Sequence, residues 1–154
     1  MLVPAALVAV MLYKVDFDVR DGIEGKDHAS MHYSMLVDES QKGVFQAVSR
    51  VLFDPGSLAS GACTVWPPYI DAAVSIELSI HSSDGRIRLE GTIELSGITG
   101  VVFLGSLCEP IVAQRKVVFN TVMELETPTL VLDDQSTSTP KAPHKIEIVV
   151  RRIN

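Results

Sequence analysis

The fold of this chain is decided by residues 74–96, which read VSIELSIHSSDGRIRLEGTIELS. Apolar and polar residues alternate in this segment with a period of two, once before residue 82 and again after residue 85. Such a period is typical of a β-strand with one buried and one solvent-facing side. Asp84 and Gly85 lie between the two runs, and an Asp-Gly pair favours the tight turn of a β-hairpin. The segment therefore predicts a hairpin whose two apolar faces lie on the same side.

The same alternation recurs along much of the remaining chain. It predicts further strands over residues 14–20, 30–37, 111–126, 130–132 and 145–152. Residues 44–53 (VFQAVSRVLF) also favour a strand, although apolar spacings of three and four leave a short helix open. Residues 97–109 are apolar but interrupted by glycines, which favours a loop or a short edge strand. The prediction is an all-β fold, either an antiparallel β-sandwich or a partly closed barrel, with about eight strands and at most one short helix.

Length and composition indicate one globular domain. The chain has 154 residues, of which 47% are hydrophobic and 21% charged, and it can therefore bury a core of its own. We assign residues 13–154 to a single β domain. Residues 1–12 (MLVPAALVAVML) form an apolar leader with three interpretations: a truncated signal peptide, a first buried strand, or a short anchor for membrane association.

The charge balance bears on the class of partner. The formal net charge is -6 at pH 7, and no run of basic residues offsets it. A negative field repels nucleic acid. We therefore expect no nucleic-acid partner.

No group of residues has the spacing of a catalytic or metal site. His28 and His32 are four apart, but their segment alternates like a strand and lacks an HExxH pattern. Glu90 and Glu94 lie about 13 Å apart along a strand, which is too far for the carboxylate pair of a retaining glycosidase. The chain has no GxSxG elbow. We expect no catalytic residues, no metal, no cofactor and no enzymatic activity.

A loop of about a dozen residues, 56–68, contains the chain's single tryptophan. Trp66, together with Tyr69, is a candidate contact surface; the alternative is that Trp66 is an aromatic plug over the open end of the sandwich. Cys63 and Cys108 have no metal-ligand spacing. They are a candidate disulfide if the protein is exported, and otherwise buried or free thiols.

The order of strands and turns over residues 69–134 resembles the β-domain of bacterial secretins, the outer-membrane pore subunits of type II and type III secretion and of type IV pili. The segments that carry the resemblance are YIDAAVSIELSIHSSDGRIRLEGTIELSGI (69–98) and QRKVVFNTVMELETPTLVLDD (114–134). The matching positions are Tyr69, Asp84, Gly85, Ser96, Pro110, Arg115, Thr121 and Val122. The resemblance covers under half of the chain, and Asp133-Asp134 and a polar linker stand where secretins continue into further pore-wall strands. It implies a strand order and an envelope location, but not pore formation.

These observations predict a non-enzymatic binding or assembly module of the cell envelope or periplasm, similar also to small exported bacterial β proteins. The first alternative is a structural subunit of a secretion or pilus ring that joins its neighbours through edge strands. The second is a hydrolase with a scattered site. We expect a protein partner or self-association.

Overall fold

The computed structural model describes residues 10–21, 30–52, 63–66, 68–133 and 143–153. These residues form nine strands and no helix. The strands are β1 (Leu12–Asp21), β2 (Ser30–Asp38), β3 (Gly43–Leu52), β4 (Thr64–Val65), β5 (Tyr69–Ser83), β6 (Arg86–Leu104), β7 (Leu107–Met123), β8 (Thr129–Asp133) and β9 (Pro143–Ile153). The all-β prediction is confirmed. Residues 44–53, for which a short helix was left open, fall in β3 as far as Leu52.

The strands form two sheets that pack face to face as a sandwich. The first sheet has four strands in the order β2-β1-β9-β8, and the second has five in the order β3-β5-β6-β7-β4. All neighbouring strands are antiparallel except β4 and β7, which are parallel. The turn between β2 and β3 links the sheets, and there Glu39 accepts hydrogen bonds from the Tyr13 hydroxyl (3.1 Å) and the Ser82 amide (2.7 Å).

The core lies between the inner faces of the two sheets. The alternating apolar residues of β5 and β6 point inward, where they meet those of β1 and β9. The largest fully buried side chains are Phe17, Ile76, Leu78, Ile80, Ile87, Leu89, Ile93, Ile146, Ile148, Val15, Val19 and Val150. Each contributes about 1.5–3 kcal/mol by leaving water.

The β5–β6 hairpin closes as the sequence predicts. Asp84 and Gly85 both have positive φ, at 53° and 78°. Two consecutive positive φ values are characteristic of the type I′ turn, whose twist matches that of the flanking strands. The register then runs from Ser83 opposite Arg86 to Val74 opposite Leu95.

The prediction of a loop or short edge strand over residues 97–109 is wrong. These residues form the end of a second, longer hairpin, in which β6 and β7 pair from Ile87 and Met123 out to Leu104 and Leu107. A bulge between Ile98 and Gly100 interrupts the register. Glycines that favour a loop in the sequence are thus accommodated by a bulge and by a turn, at Gly105 with φ of 65°.

The β6–β7 hairpin is longer than the strand beside it. β5 pairs with β6 only up to Leu95, and beyond it the hydroxyl of Ser96 accepts a hydrogen bond of 2.6 Å from the Ala73 amide. Residues 96–104 of β6 and 107–114 of β7 therefore continue as a two-stranded ribbon, which we call the arm.

Gly91 allows the centre of the five-stranded sheet to pack closely. It lies opposite Leu78 of β5 and Phe119 of β7. A Cβ atom here would lie 2.3 Å from the carbonyl oxygen of Glu77 and 2.9 Å from Cζ of Phe119. The backbone oxygen cannot move aside without disturbing the β5–β6 ladder.

We expect Gly91→Ala to lower the free energy of unfolding by about 1–3 kcal/mol, the usual cost of overpacking a core. Urea denaturation measures the change. Thr92→Ala, on the opposite side of the same strand, is the matched control and is expected to cost less than about 1 kcal/mol. Equal losses in the two variants would show that close packing at Gly91 is not the cause.

Candidate functional site

The arm exposes apolar side chains on both of its faces. Six large side chains on it are between 41% and 55% exposed: Val102, Phe103, Leu104, Leu107, Ile111 and Val112. Residues that face each other across a ladder lie on the same side, so Leu104 and Leu107 share one face and Phe103 and Cys108 share the other. An exposed apolar cluster of this kind marks a contact site more often than a solvated surface.

The arm also has a strand edge along β6. Among the described strands, β6 has no partner on its β5 side beyond Leu95, and β7 has β4 beside it only at Leu107 and Cys108. Strand edges of this kind accept a further strand from another chain.

A disulfide joins β4 to the arm. Cys63 and Cys108 are bonded, with 5.7 Å between their Cα atoms, and Cys108 is fully buried. The Thr64 amide donates to the Ser106 carbonyl (2.9 Å), and the Trp66 amide donates to the Cys108 carbonyl (3.0 Å). The two cysteines that the sequence offers as a candidate disulfide are thus brought together near the tip of the arm.

The candidate contact residues Trp66 and Tyr69 lie on opposite sides of the arm. Trp66 follows β4, beside β7, and its side chain is 68% exposed. The alternative that Trp66 is a plug over the end of the sandwich is therefore wrong. Tyr69 begins β5 opposite Leu52 of β3, and both side chains are more than half exposed. Tyr69 extends an apolar row on the outer side of β3 that includes Val44, Val48 and Leu52.

Charged residues on the outer side of the five-stranded sheet are paired with one another. Lys42 is ion-paired with Glu77, and Lys116 with Glu94 at 3.0 Å. The hydrogen bond from Lys42 is the largest cause that lowers the pKa of Glu77 below its usual value. Glu77, Glu94 and Lys116, with Ser75 and Thr92, line a shallow recess of about 120 Å³.

Glu90 has partners of its own on the same side of the sheet. It is bound by Arg88 (2.7 Å) and by the amide of Asn120 (3.1 Å). Glu90 and Glu94 are therefore held by different partners and do not act as a carboxylate pair.

Asp16 is the one buried charged side chain among the described residues, at 5% exposure. It lies on the outer side of the four-stranded sheet, where Lys14 approaches it at 3.2 Å and Arg151 and Ser34 bind it directly. Burial by itself raises the pKa of Asp16, but the hydrogen bonds from Ser34 and Lys14 and the charges of Lys14 and Arg151 outweigh it, and the pKa lies below its usual value. Asp16 thus ties β1 to β2 and β9 as a carboxylate.

Ser34, His32 and Asp18 follow one another in the order of a hydrolase triad. The Ser34 hydroxyl is 3.3 Å from Nε2 of His32, and Nδ1 of His32 is 3.0 Å from Asp18. Ser34 donates its proton to Asp16, however, whereas in a working triad the histidine takes that proton. The arrangement favours a structural role for these three residues.

Two further kinds of site are not found. The described residues contain no group of three or more histidine, cysteine, aspartate or glutamate side chains that could hold a metal ion. They also form no helix long and apolar enough to cross a membrane.

Comparison with known proteins finds a likeness in fold. No family model matches the chain, and no curated protein does. Among solved structures, the chain is similar to the InvG secretin domain beta-barrel from the Salmonella SPI-1 injectisome NC-base, with 11% sequence identity and a TM-score of 0.47. The chain resembles a secretin β-domain. The match covers 94% of this chain and 62% of the secretin chain. The resemblance expected from residues 69–134 is confirmed, and at this level it transfers no function.

We expect Asp16→Asn to lower the free energy of unfolding at pH 7 by about 1–3 kcal/mol, because three hydrogen-bonding partners lose their carboxylate. A depressed pKa in the folded state contributes stability above the unfolded pKa, near 4, that is lost as the pH falls through the folded pKa. The difference in the free energy of unfolding between the natural chain and the variant should therefore shrink below about pH 4. Denaturation across a pH series measures it.

Asp18→Asn is the matched control for this measurement. Asp18 lies on the same strand and the same side, but its side chain is 40% exposed and contacts only His32 in this cluster. A surface pair of this kind contributes about 0–1 kcal/mol. If the free energies of unfolding of the natural chain and Asp16→Asn differ by the same amount at every pH, the assignment of Asp16 as a buried carboxylate is contradicted.

Proposed function

We propose that this chain is a non-enzymatic binding or assembly module of the cell envelope, and that its arm is the surface that contacts other protein. The observation that carries the proposal is the arm itself, which exposes apolar side chains on both faces and a strand edge along β6 beyond Leu95. A folded protein keeps such a surface in water at a cost, which association removes.

Hydrogen-bonding requirements favour a polypeptide as the occupant of the arm. A purely apolar ligand would cover the side chains but could not form hydrogen bonds with the backbone amides and carbonyls of a strand edge. An extended strand satisfies both, since it donates and accepts along the edge and brings its own side chains to the faces.

The sheet itself supports a second copy of the chain as that polypeptide. β3 is the opposite end strand of the five-stranded sheet, and it runs antiparallel to β7 because three antiparallel pairings separate them. Gly43 of β3 lies level with Phe119 of β7 across the sheet. Gly43 pairs with Leu78, Leu78 pairs with Gly91, and Gly91 pairs with Phe119. The β3 edge of one copy can therefore continue the sheet at the β7 edge of the next.

Pairing of the β3 edge of one copy with the β7 edge of the next favours a ring subunit as the second candidate function. Two different edges that pair head to tail generate a closed ring if the rotation between copies closes. A module that binds a different protein through the arm alone would not need the β3 edge.

Secretion across a membrane is supported by the disulfide. Disulfides persist in oxidising compartments such as the periplasm and are rare in the cytosol. The bond between Cys63 and Cys108 fits an envelope location for the protein.

We expect the purified chain to self-associate through the arm, so that its weight-average mass in light scattering rises with concentration into the micromolar range. The double variant Phe103→Ser/Leu107→Ser should remain monomeric, because it removes one large apolar side chain from each face of the arm. Urea denaturation checks that this variant is folded.

The matched control is Leu36→Ser/Leu130→Ser, which removes two exposed apolar side chains from the four-stranded sheet, away from the arm and from both edges of the five-stranded sheet. It should associate like the natural chain. Equal loss of association in both variants, or a monomer for the natural chain at every concentration, would contradict the assignment of the arm as the contact surface.

The same experiment separates the two candidates. A defined oligomer of several copies that is lost when Ala47 of the β3 edge is replaced by proline supports the ring. A dimer that is unaffected by this change supports a module that associates through the arm alone.

A further inference from the structure

Outside the arm, β7 carries a row of exposed side chains that is complementary to itself. Residues 116–124 read KVVFNTVME, and within them Val117, Phe119 and Met123 are buried. The residues between these point to solvent, with Val118 73% and Val122 57% exposed. In order along the chain, the exposed row is Lys116, Val118, Asn120, Val122 and Glu124. We call residues 116–124 the self-complementary segment, because a cation stands at one end, an anion at the other, and an amide between two valines at the centre.

The backbone of this segment can pair with a further strand. Among the described strands, β7 has β6 on one side, and on the other it has β4 at Leu107 and Cys108 only. On that outer side the Cys108 carbonyl accepts a hydrogen bond from the Trp66 amide. Backbone groups of alternate residues in a strand point the same way, and every residue of β7 is in register with β6. The amides and carbonyls of Val118, Asn120 and Val122 therefore point to the outer edge.

Antiparallel pairing of two copies about Asn120 matches the row with itself. Lys116 of each copy then lies opposite Glu124 of the other, and Val118 lies opposite Val122. Opposite charges and β-branched side chains that face each other across two strands stabilise the pairing. The two Asn120 side chains meet at the two-fold axis, where each has one amide hydrogen left after the bond of 3.1 Å to Glu90.

The β3 edge is less complementary to β7 than a second β7 edge is. If the sheet continues from β7 to β3 of the next copy without a shift in register, Lys116 faces Gln46. A shift that aligns Val44 and Val48 with the two valines of β7 brings Arg50 opposite Lys116, and like charges in this position are destabilising. Neither register gives Lys116 an anionic partner across the contact.

We infer that two copies of the chain pair through the self-complementary segments of β7 in an antiparallel, two-fold dimer. The inference rests on the proposed function, because it takes a second copy to be the partner of the arm and adds the β7 edge to that contact. The register directs each arm past Met123, where β7 of the second copy ends, so the arm and the segment belong to one contact. β4 does not overlap the segment, since it pairs only at Leu107 and Cys108.

Reversal of either charge should weaken the dimer. We expect Lys116→Glu and Glu124→Lys each to raise the concentration for half-maximal association about tenfold, because two attractive pairs become repulsive. The first change makes the chain, with its net charge of -6, more negative, and the second makes it less negative. A general effect of net charge would therefore move the two variants in opposite directions.

The double variant Lys116→Glu/Glu124→Lys should associate like the natural chain, because it restores both charge pairs in the opposite sense. Light scattering over a concentration series measures the association of all three variants. Urea denaturation checks that each of them is folded.

Lys42→Glu is the matched control for these changes. Lys42 and Lys116 are each ion-paired with a glutamate on the outer side of the same sheet, and their side chains are 57% and 61% exposed. Lys42 lies next to β3, at the other end of the sheet. We expect Lys42→Glu to associate like the natural chain. Equal weakening by Lys42→Glu and Lys116→Glu would overturn the inference, because the loss would then not depend on the β7 edge.

Cross-linking at the two-fold axis tests the register. The two natural cysteines are bonded to each other, so Asn120→Cys introduces the chain's one free thiol. Directly opposite residues of a hydrogen-bonded pair have Cα atoms about 5.5 Å apart, which a disulfide spans. We expect copper-catalysed oxidation to link Asn120→Cys into a dimer. Gln46→Cys, on the exposed side of the β3 edge, should stay unlinked, and equal linking of both variants would overturn the inference.

The outcomes separate the inference from the proposed function. Association that depends on Phe103 and Leu107 but not on either charge reversal overturns the inference and leaves the proposed function standing. Failure of the double charge reversal to restore association has the same meaning. Absence of association in the natural chain at every concentration overturns both.

Discussion

The packing of β5 and β6 against β1 and β9 is the interaction on which the rest of the structure depends. It buries the apolar faces of four strands at once, and it fixes which residues face inward. In β5 and β6, the side chains of residues 74–80 and 87–95 alternate between an apolar side that faces the opposite sheet and a polar side that faces the solvent. The overlap is limited by the shorter sheet, since β1 and β9 have 10 and 11 residues whereas β6 and β7 have 19 and 17.

This mismatch in length is the origin of the arm. At about 3.4 Å per residue, β6 extends roughly 30 Å further than β1. The part of the hairpin that lies beyond the opposite sheet has no partner sheet to cover it, yet its sequence remains apolar. β4 lies beside β7 at Leu107 and Cys108 and is joined to it by a disulfide, while the large apolar side chains of the arm stay exposed.

The sequence predicts those parts of the fold that depend on local pattern. The β5–β6 hairpin follows from its alternation and from Asp84-Gly85, because both signals lie within the segment that folds. Residues 97–109 predict a loop or a short edge strand because glycines interrupt their apolar run, and a strand outside the overlap of the sheets has no reason to show an alternating pattern. In β3, inward Phe45 and Ala47 combine with exposed Val44 and Val48 to imitate helical spacing.

The candidate site is less predictable, since it depends on contacts between distant parts of the chain. Cys63 and Cys108 meet because β4 pairs with β7 near the tip of the arm, and no local pattern in the sequence reports that pairing. Asp16 alternates with Lys14 and Asp18 like a residue on a solvated face. Its burial arises from Arg151 and Ser34, on the two neighbouring strands.

Hydrogen exchange of the arm at low and at high protein concentration tests the central claim most directly. If the arm is the contact surface, the amides of residues 96–114 exchange quickly in the dilute protein and slowly in the concentrated one. The amides of residues 74–80 and 87–95 lie in the centre of the sandwich and should be protected at both concentrations. Exchange in the arm that does not change with concentration, while other residues gain protection, would contradict the account.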